Sequence, residues 1–155
     1  MDNTKWMRKA INLSVENVKN GGGPFGAVIA KEDKIVSTGV NRVTKNNDPT
    51  AHAEISAIRK AARKLGTFDL SGCEIFTSCE PCPMCLSAIY WAHLDKIIYG
   101  NTKTDAKEIG FDDSFIYDEL SLKPDDRKIK RIQILPEEAK QAFEDWTTKK
   151  DKVKY

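Results

Sequence analysis

Two histidines and four cysteines are all that this chain of 155 residues holds of the side chains most used as metal ligands and nucleophiles. No stretch approaches the roughly 20 consecutive apolar residues of a membrane-spanning helix, so a protein of that kind is excluded. Residues 1–10 lack the apolar centre of a secretory signal, and a cytoplasmic location is therefore expected. The four cysteines crowd between positions 73 and 85, a poor framework for disulfides. Excess charge is missing too. A net charge of +2 argues neither for nor against nucleic acid, and the basic residues at 149–154 read as a solvated end. With 40% apolar and 31% charged residues, no repeat and no low-complexity stretch, the sequence describes one ordinary globular domain over 1–155.

What the chain does hold is a pair of short strings, His52-Ala53-Glu54 and, about thirty residues later, Pro81-Cys82-Pro83-Met84-Cys85. Together they offer a metal one imidazole and two thiolates, with a carboxylate alongside that the metal does not need. Structural zinc sites close with four protein ligands, whereas catalytic sites keep three and leave the fourth position to water. A free carboxylate beside such a site is the apparatus for moving protons. Either string alone has a bland reading, since a C-x-x-C pair also serves redox chemistry and a histidine at a helix start is often a satisfied polar residue. In this order, each at an expected helix start, they form the H-x-E…P-C-x-x-C pattern of zinc-dependent nucleobase deaminases. Cys79 makes a second C-x-x-C with Cys82. It is assigned to a strand end, because a fourth protein ligand would shut out the water. Cys73 reads as a small hydrophobe opening a strand, and His93 as a surface or helix-end residue.

Periodicity and punctuation place these strings. A helix is expected over 5–20, with Met7, Ala10 or Ile11, Val15 and Val18 on its inner face, ended by Gly21-Gly22-Gly23-Pro24. Strands follow over 25–31 and 34–41, joined by a tight turn at Glu32-Asp33. Asp48 is the expected N-cap of a helix with Pro49 in its first turn, running to Leu65 and stopped by Gly66. A strand over 73–78, the cysteine helix to about Ala92, strands over 96–99 and 129–135, and a last helix from Pro136 to about Lys149 complete the pattern. The positive helix starts are expected to lower the thiol pKa values and keep the imidazole neutral. A mixed five-stranded sheet with helices on both faces results.

Four strings carry a resemblance. They are Gly23-Pro24-Phe25-Gly26-Ala27-Val28-Ile29, then Asn46-Asn47-Asp48-Pro49-Thr50-Ala51-His52-Ala53-Glu54, then Thr77-Ser78-Cys79-Glu80-Pro81-Cys82-Pro83-Met84-Cys85, and Gly110-Phe111-Asp112-Asp113-Ser114-Phe115-Ile116-Tyr117. On these the chain resembles the cytidine deaminase-like superfamily through most of its length, and within it the short bacterial guanine deaminases. The first three strings are shared, with variations, by tRNA adenosine deaminases. The fourth, with the ending Lys154-Tyr155, points to the guanine enzymes. The resemblance implies a three-layer α/β/α sandwich and one zinc ion per subunit, held by His52, Cys82 and Cys85. It implies Glu54 as the proton carrier in the conversion of guanine to xanthine and ammonia, with backbone N–H groups near Ala53 and Cys82 orienting the attacking oxygen. It further implies a homodimer in which residues 136–155 exchange between subunits and Tyr155 caps the neighbour's pocket.

The substrate residues each keep a second reading. Phe25 resembles the family's base-stacking residue and equally fits a core position. Asn41 can read a base edge or close a turn. Asp113 can accept from guanine N1–H and the N2 amine, or cap the helix that follows. Trp91 can wall the pocket or pack in an interface. A tRNA adenosine deaminase, a deaminase of guanosine or cytosine, and a zinc-stabilised binding module remain the alternatives. A purine base is the expected partner, with neither a membrane nor a nucleic acid.

Overall fold

The structure, a computed structural model, describes residues 3–155; Met1 and Asp2, at the edge of the expected domain, lie outside the described residues. The chain divides into two compact units, one ending at Asp113 and the other spanning Ser114–Tyr155.

The first unit is built on four strands, β1 (Gly26–Lys31), β2 (Lys34–Val40), β3 (Glu74–Cys79) and β4 (Lys96–Asn101), in the order β2-β1-β3-β4. β1 runs antiparallel to β2 and β3, and β3 runs parallel to β4, so the sheet is mixed. Glu32 and Asp33 close the β1–β2 hairpin with φ of 48° and 59°, the doubly left-handed backbone whose twist matches that of paired strands. Around the sheet lie α1 (Asn3–Lys19), a short α2 (Val43–Asn46), α3 (Ala53–Leu65), α4 (Pro83–Trp91) and α5 (Lys103–Glu108).

The two-residue period of the strands divides the core. Ala27, Ile29 and Ile75 face one side and pack with Ala53, Ala57 and Ala61 of α3 and Ile89 of α4. Val28, Ala30 and Phe76 face the other side and pack with Trp6 and Ala10 of α1. These are the three layers expected, with helices on both faces. Two glycines bring the helices in close. A Cβ on Gly26 would stand 2.4 Å from the Ala10 carbonyl oxygen, and one on Gly39 would stand 2.1 Å from that of Ala53. Both helix backbones therefore rest directly on strand backbone.

Met7 and Ala10 pack on the core as expected, but the rest of the expected face of α1 is corrected. Its buried residues are Trp6, Ala10, Ser14 and Asn17, while Ile11, Val15 and Val18 are exposed. Where Gly26 meets the helix the buried side chains are small, and the two polar ones bond to main chain: Ser14 Oγ to the Ile11 carbonyl, and Asn17 Nδ2 to those of Gly23 and Asn41.

In the second unit, α6 (Ser114–Ser121), a 3₁₀ turn at Pro124–Asp126 and α7 (Pro136–Thr148) follow one another. Arg127 Nε donates to the Glu119 carbonyl at 3.0 Å, closing the end of α6. The fifth strand expected over 129–135 is absent, so the sheet has four strands. Isoleucine favours strands because it fits a half-buried pleated surface. Ile129, Ile132 and Ile134 are instead 84%, 86% and 73% exposed, and no residue of this unit is buried. Among the described residues no helix is long and apolar enough to cross a membrane.

Candidate active site

Antiparallel pairing gathers the functional strings at one end of the sheet. Gly26 at the start of β1 pairs with Val40 at the end of β2, and Ala27 pairs with Thr77 near the end of β3. Phe25, Asn41 and the Cys79–Cys85 segment are thus neighbours in the sheet's order although they are far apart in sequence.

α3 and α4 present the metal donors at their first turns. α3 starts at Ala53, not near Pro49 as expected. Asp48 binds its own turn, accepting from Thr50 N–H and Oγ1–H at 2.9 and 2.7 Å, and His52 occupies the N-cap position. Those bonds hold the Asp48 carboxyl below its usual pKa. Cys82 is likewise the N-cap of α4, with Pro83 following and Cys85 one turn on. Neither N-cap residue makes a side-chain capping bond, so both side chains are free to turn to one point.

The one-atom donors of His52, Cys82 and Cys85 lie within 4.8 Å of one another, and the group does not include Cys79. His52 Nδ1 is 3.5 Å from Cys82 Sγ and 3.4 Å from Cys85 Sγ. A tetrahedral zinc ion with N and S ligands at about 2.0 and 2.3 Å would hold nitrogen and sulfur ~3.5 Å apart, so the spacing and the donor chemistry both fit zinc. The contact with Cys85, with a further one from His52, brings Cys82 down to about 4, and the same contact together with burial holds Cys85 far above its usual value. The Cys82 contact also raises His52 above its usual value, against the direction a helix start alone would give. Cys79 ends β3, its thiol pushed up to about 11 by burial and nearby carboxylates, with Sγ directed at the Thr102 carbonyl.

Glu54 is buried in the first turn of α3 beside these donors. Its Oε1 accepts from Thr77 Oγ1 at 2.9 Å, and its Oε2 from Cys85 Sγ at 3.2 Å. One end of the carboxylate is therefore fixed by β3, and the other meets the metal donors. Ala53, fully buried, supplies the first backbone of α3.

The remaining expected residues are placed as follows. Phe25 is half-buried against the α3 side of the core, with its ring edge-on to Phe111, centroids 5.0 Å apart and planes at 89°. Asn41 Oδ1 accepts from Val43 N–H at 3.1 Å, which occupies its side-chain carbonyl in the turn. Asp113 is half-buried, its pKa raised first by burial and also by Cys82. Trp91 is exposed at the end of α4, Cys73 is buried as expected, and His93 is exposed in a left-handed backbone at φ 58°. Tyr155 belongs to the second unit and is exposed.

Sequence reasoning missed two supports. Thr77 was visible only as one of two polar residues, with Ser78, that follow Ile75 and Phe76 in a buried strand. Glu80 carried no signal. Its Oε2 accepts from Lys103 N–H, and its own N–H donates to the Asn101 carbonyl, tying the loop before Cys82 to β4 and α5.

A mixed sheet between helical layers, with three N and S donors at two helix starts and a buried carboxylate beside them, defines a zinc-dependent hydrolase. Residues 1–101 match the cytidine and deoxycytidylate deaminase zinc-binding region, and the chain belongs to that family. It is 47% identical to a guanine deaminase of Bacillus subtilis (strain 168) over 100% of both chains. An X-ray structure of guanine deaminase from Bacillus subtilis superposes with a TM-score of 0.97, covering 100% of this chain and 99% of that one. A tRNA-specific adenosine deaminase of Aquifex aeolicus (strain VF5) is 39% identical over 61% of this chain and 62% of its own. A guanine deaminase from Nitrosomonas europaea is 36% identical, with a TM-score of 0.67 over 70% of this chain and 63% of that one.

Proposed function

We propose that this chain deaminates guanine hydrolytically, giving xanthine and ammonia. The observation that carries this reading is end-to-end likeness to a guanine deaminase, whereas the matched tRNA-specific adenosine deaminase covers only part of the chain. His52, Cys82 and Cys85 would hold the zinc, which when bound supplies a Lewis-acidic centre able to bring the pKa of water to about 7. Glu54 takes a proton from the attacking water and delivers it to the ring nitrogen beside C2. It then carries the second proton of that water to the leaving amine, so that C2 gains oxygen and ammonia departs. The Thr77 hydroxyl keeps Oε1 fixed throughout, so the carboxylate turns as one unit. Phe25 stacks the base, with Phe111 setting the angle of its ring. Asn41 Nδ2 donates to the base edge, and Asp113 accepts from N1–H, a partner that offsets the cost of its burial.

With this goes a homodimer in which residues 136–155 are exchanged and Tyr155 closes the partner's pocket. Exposed Ile129, Ile132, Ile134 and Phe143 form apolar surface that a second copy would cover. A cytoplasmic location fits four free cysteines, two of which must stay reduced to hold the metal.

Ammonia release over guanine, guanosine, adenosine, cytosine and an adenosine-containing anticodon stem-loop tests the reading, with Glu54→Ala at equal zinc content as control. Turnover of guanine alone, lost in the control, is the expected result. Turnover of the RNA alone would overturn the substrate while leaving the zinc chemistry in place.

A further inference from the structure

Asn17 stands on the buried face of α1, and its hydrogen bonds reach none of His52, Glu54, Cys82 or Cys85. Its Nδ2 gives its two hydrogens to main-chain carbonyls of separate segments, Gly23 at 2.8 Å and Asn41 at 2.9 Å. Its main-chain carbonyl accepts from Gly22 N–H at 2.8 Å. Three bonds from one residue thus tie the glycine-rich loop to the end of β2. The same two segments continue the ladder: Phe25 N–H donates to the Gly23 carbonyl at 2.9 Å, and Asn41 N–H donates to the Phe25 carbonyl at 3.2 Å.

The fit around the amide is close. A Cβ on Gly22 would lie 2.5 Å from Asn17 Nδ2, and one on Gly23 would lie 3.1 Å from Asn41 Cγ. The clamp needs two donors on a short neutral arm. Serine and threonine bring one, aspartate brings none, and lysine brings a charge on a long stem. We infer that Asn17 is a positioning residue that holds Phe25 and Asn41 in register across the base-binding pocket, and so sets affinity for the base more than the rate of its conversion. The inference rests on the reading that Phe25 and Asn41 contact the purine.

Steady-state kinetics on guanine with zinc-loaded Asn17→Ala and Asn17→Asp test it, with Phe25→Ala and Asn41→Ala measured alongside. Loss of the clamp raises KM about tenfold while kcat stays within about threefold, at equal zinc content. A merely structural role lowers thermal stability and the active fraction but leaves the KM of the folded enzyme unchanged, and that result overturns the inference. If the Asn17 variants do not accumulate folded, Gly22→Ala drives a methyl group into the same amide without deleting it. It must raise KM likewise, and an unchanged KM there overturns the inference too. A raised KM in Phe25→Ala and Asn41→Ala but not in the Asn17 variants sinks Asn17 alone. An unchanged KM in all of them sinks the substrate assignment as well.

Discussion

Thr77 has one hydroxyl hydrogen and two acceptors at equal distance, Glu54 Oε1 and the Cys79 carbonyl oxygen, each 2.9 Å away. A carboxylate takes that hydrogen; a carboxylic acid supplies its own and lets the hydroxyl turn to Cys79. Thr77→Val keeps the shape and removes both options. It is expected to lower kcat about tenfold with KM unchanged, and to cost about 1–3 kcal/mol for the buried Glu54 oxygen that loses its donor. Kinetics and urea denaturation at equal zinc content check both parts, and Thr77→Ser should restore the rate. The thiols predict a pH dependence. Cys82 has lost its proton by about 4, whereas Cys85, raised chiefly by its bond to Cys82, keeps its proton at neutral pH. Zinc must displace that proton, so each ion bound should release it to solvent. His52, raised from 6.5, adds another to be displaced as the pH falls, so affinity weakens toward acid. Titration calorimetry in two buffers of different ionisation heat counts the protons, and a count that does not rise as the pH falls would refute this. The donors were legible in the sequence because each sits within a few residues of a helix start. Thr77 was not, because its partner lies 23 positions away and only the pairing of β3 brings them together.

Among elements, the hairpin, the stop of α3 at Gly66 and the last helix were legible, since turn residues and caps act within a few positions. The inner face of α1 was legible only at Met7 and Ala10. The pattern of Ile11, Val15 and Val18 is a sound amphipathic stripe, but the distance between helix and sheet decides which side chains fit, and Gly26 sets that distance. Gly39 does the same for α3. Gly39→Ala would drive a methyl into the Ala53 carbonyl, which belongs to the first turn between His52 and Glu54. Overpacking of this kind costs about 1–3 kcal/mol. Because the displaced turn carries a zinc donor and Glu54, the variant should also lose turnover out of proportion to its loss of stability. A matched denaturation curve and activity assay decide it; proportional losses would show that α3 slides without tilting.

At the scale of the molecule, residues 129–135 read as a strand and fold as an exposed irregular segment. A β-branched run states a preference for a half-buried surface without stating whose surface that is. The family's zinc centre was legible because it is local, and the number of strands was not because it depends on pairing. If a second copy covers the isoleucines, deleting residues 149–155 should cut turnover severely while zinc content and the far-UV spectrum of the folded chain persist. Turnover that survives the deletion would rule out the tail as a lid.

Both helix starts at the site carry a cost that shows only when the helices are compared. α5 begins with a full capping box, Thr102 and Asp105 each bonding the other's backbone. α3 and α4 place His52 and Cys82 where such a residue would stand, and neither side chain caps. A serine or asparagine there is worth about 0.5–2 kcal/mol to a helix. Selection for stability alone would therefore remove the donors, and only selection for the metal keeps them. A related chain that has drifted to serine, aspartate or asparagine at either position would record the end of that selection, and its zinc content would read out the change.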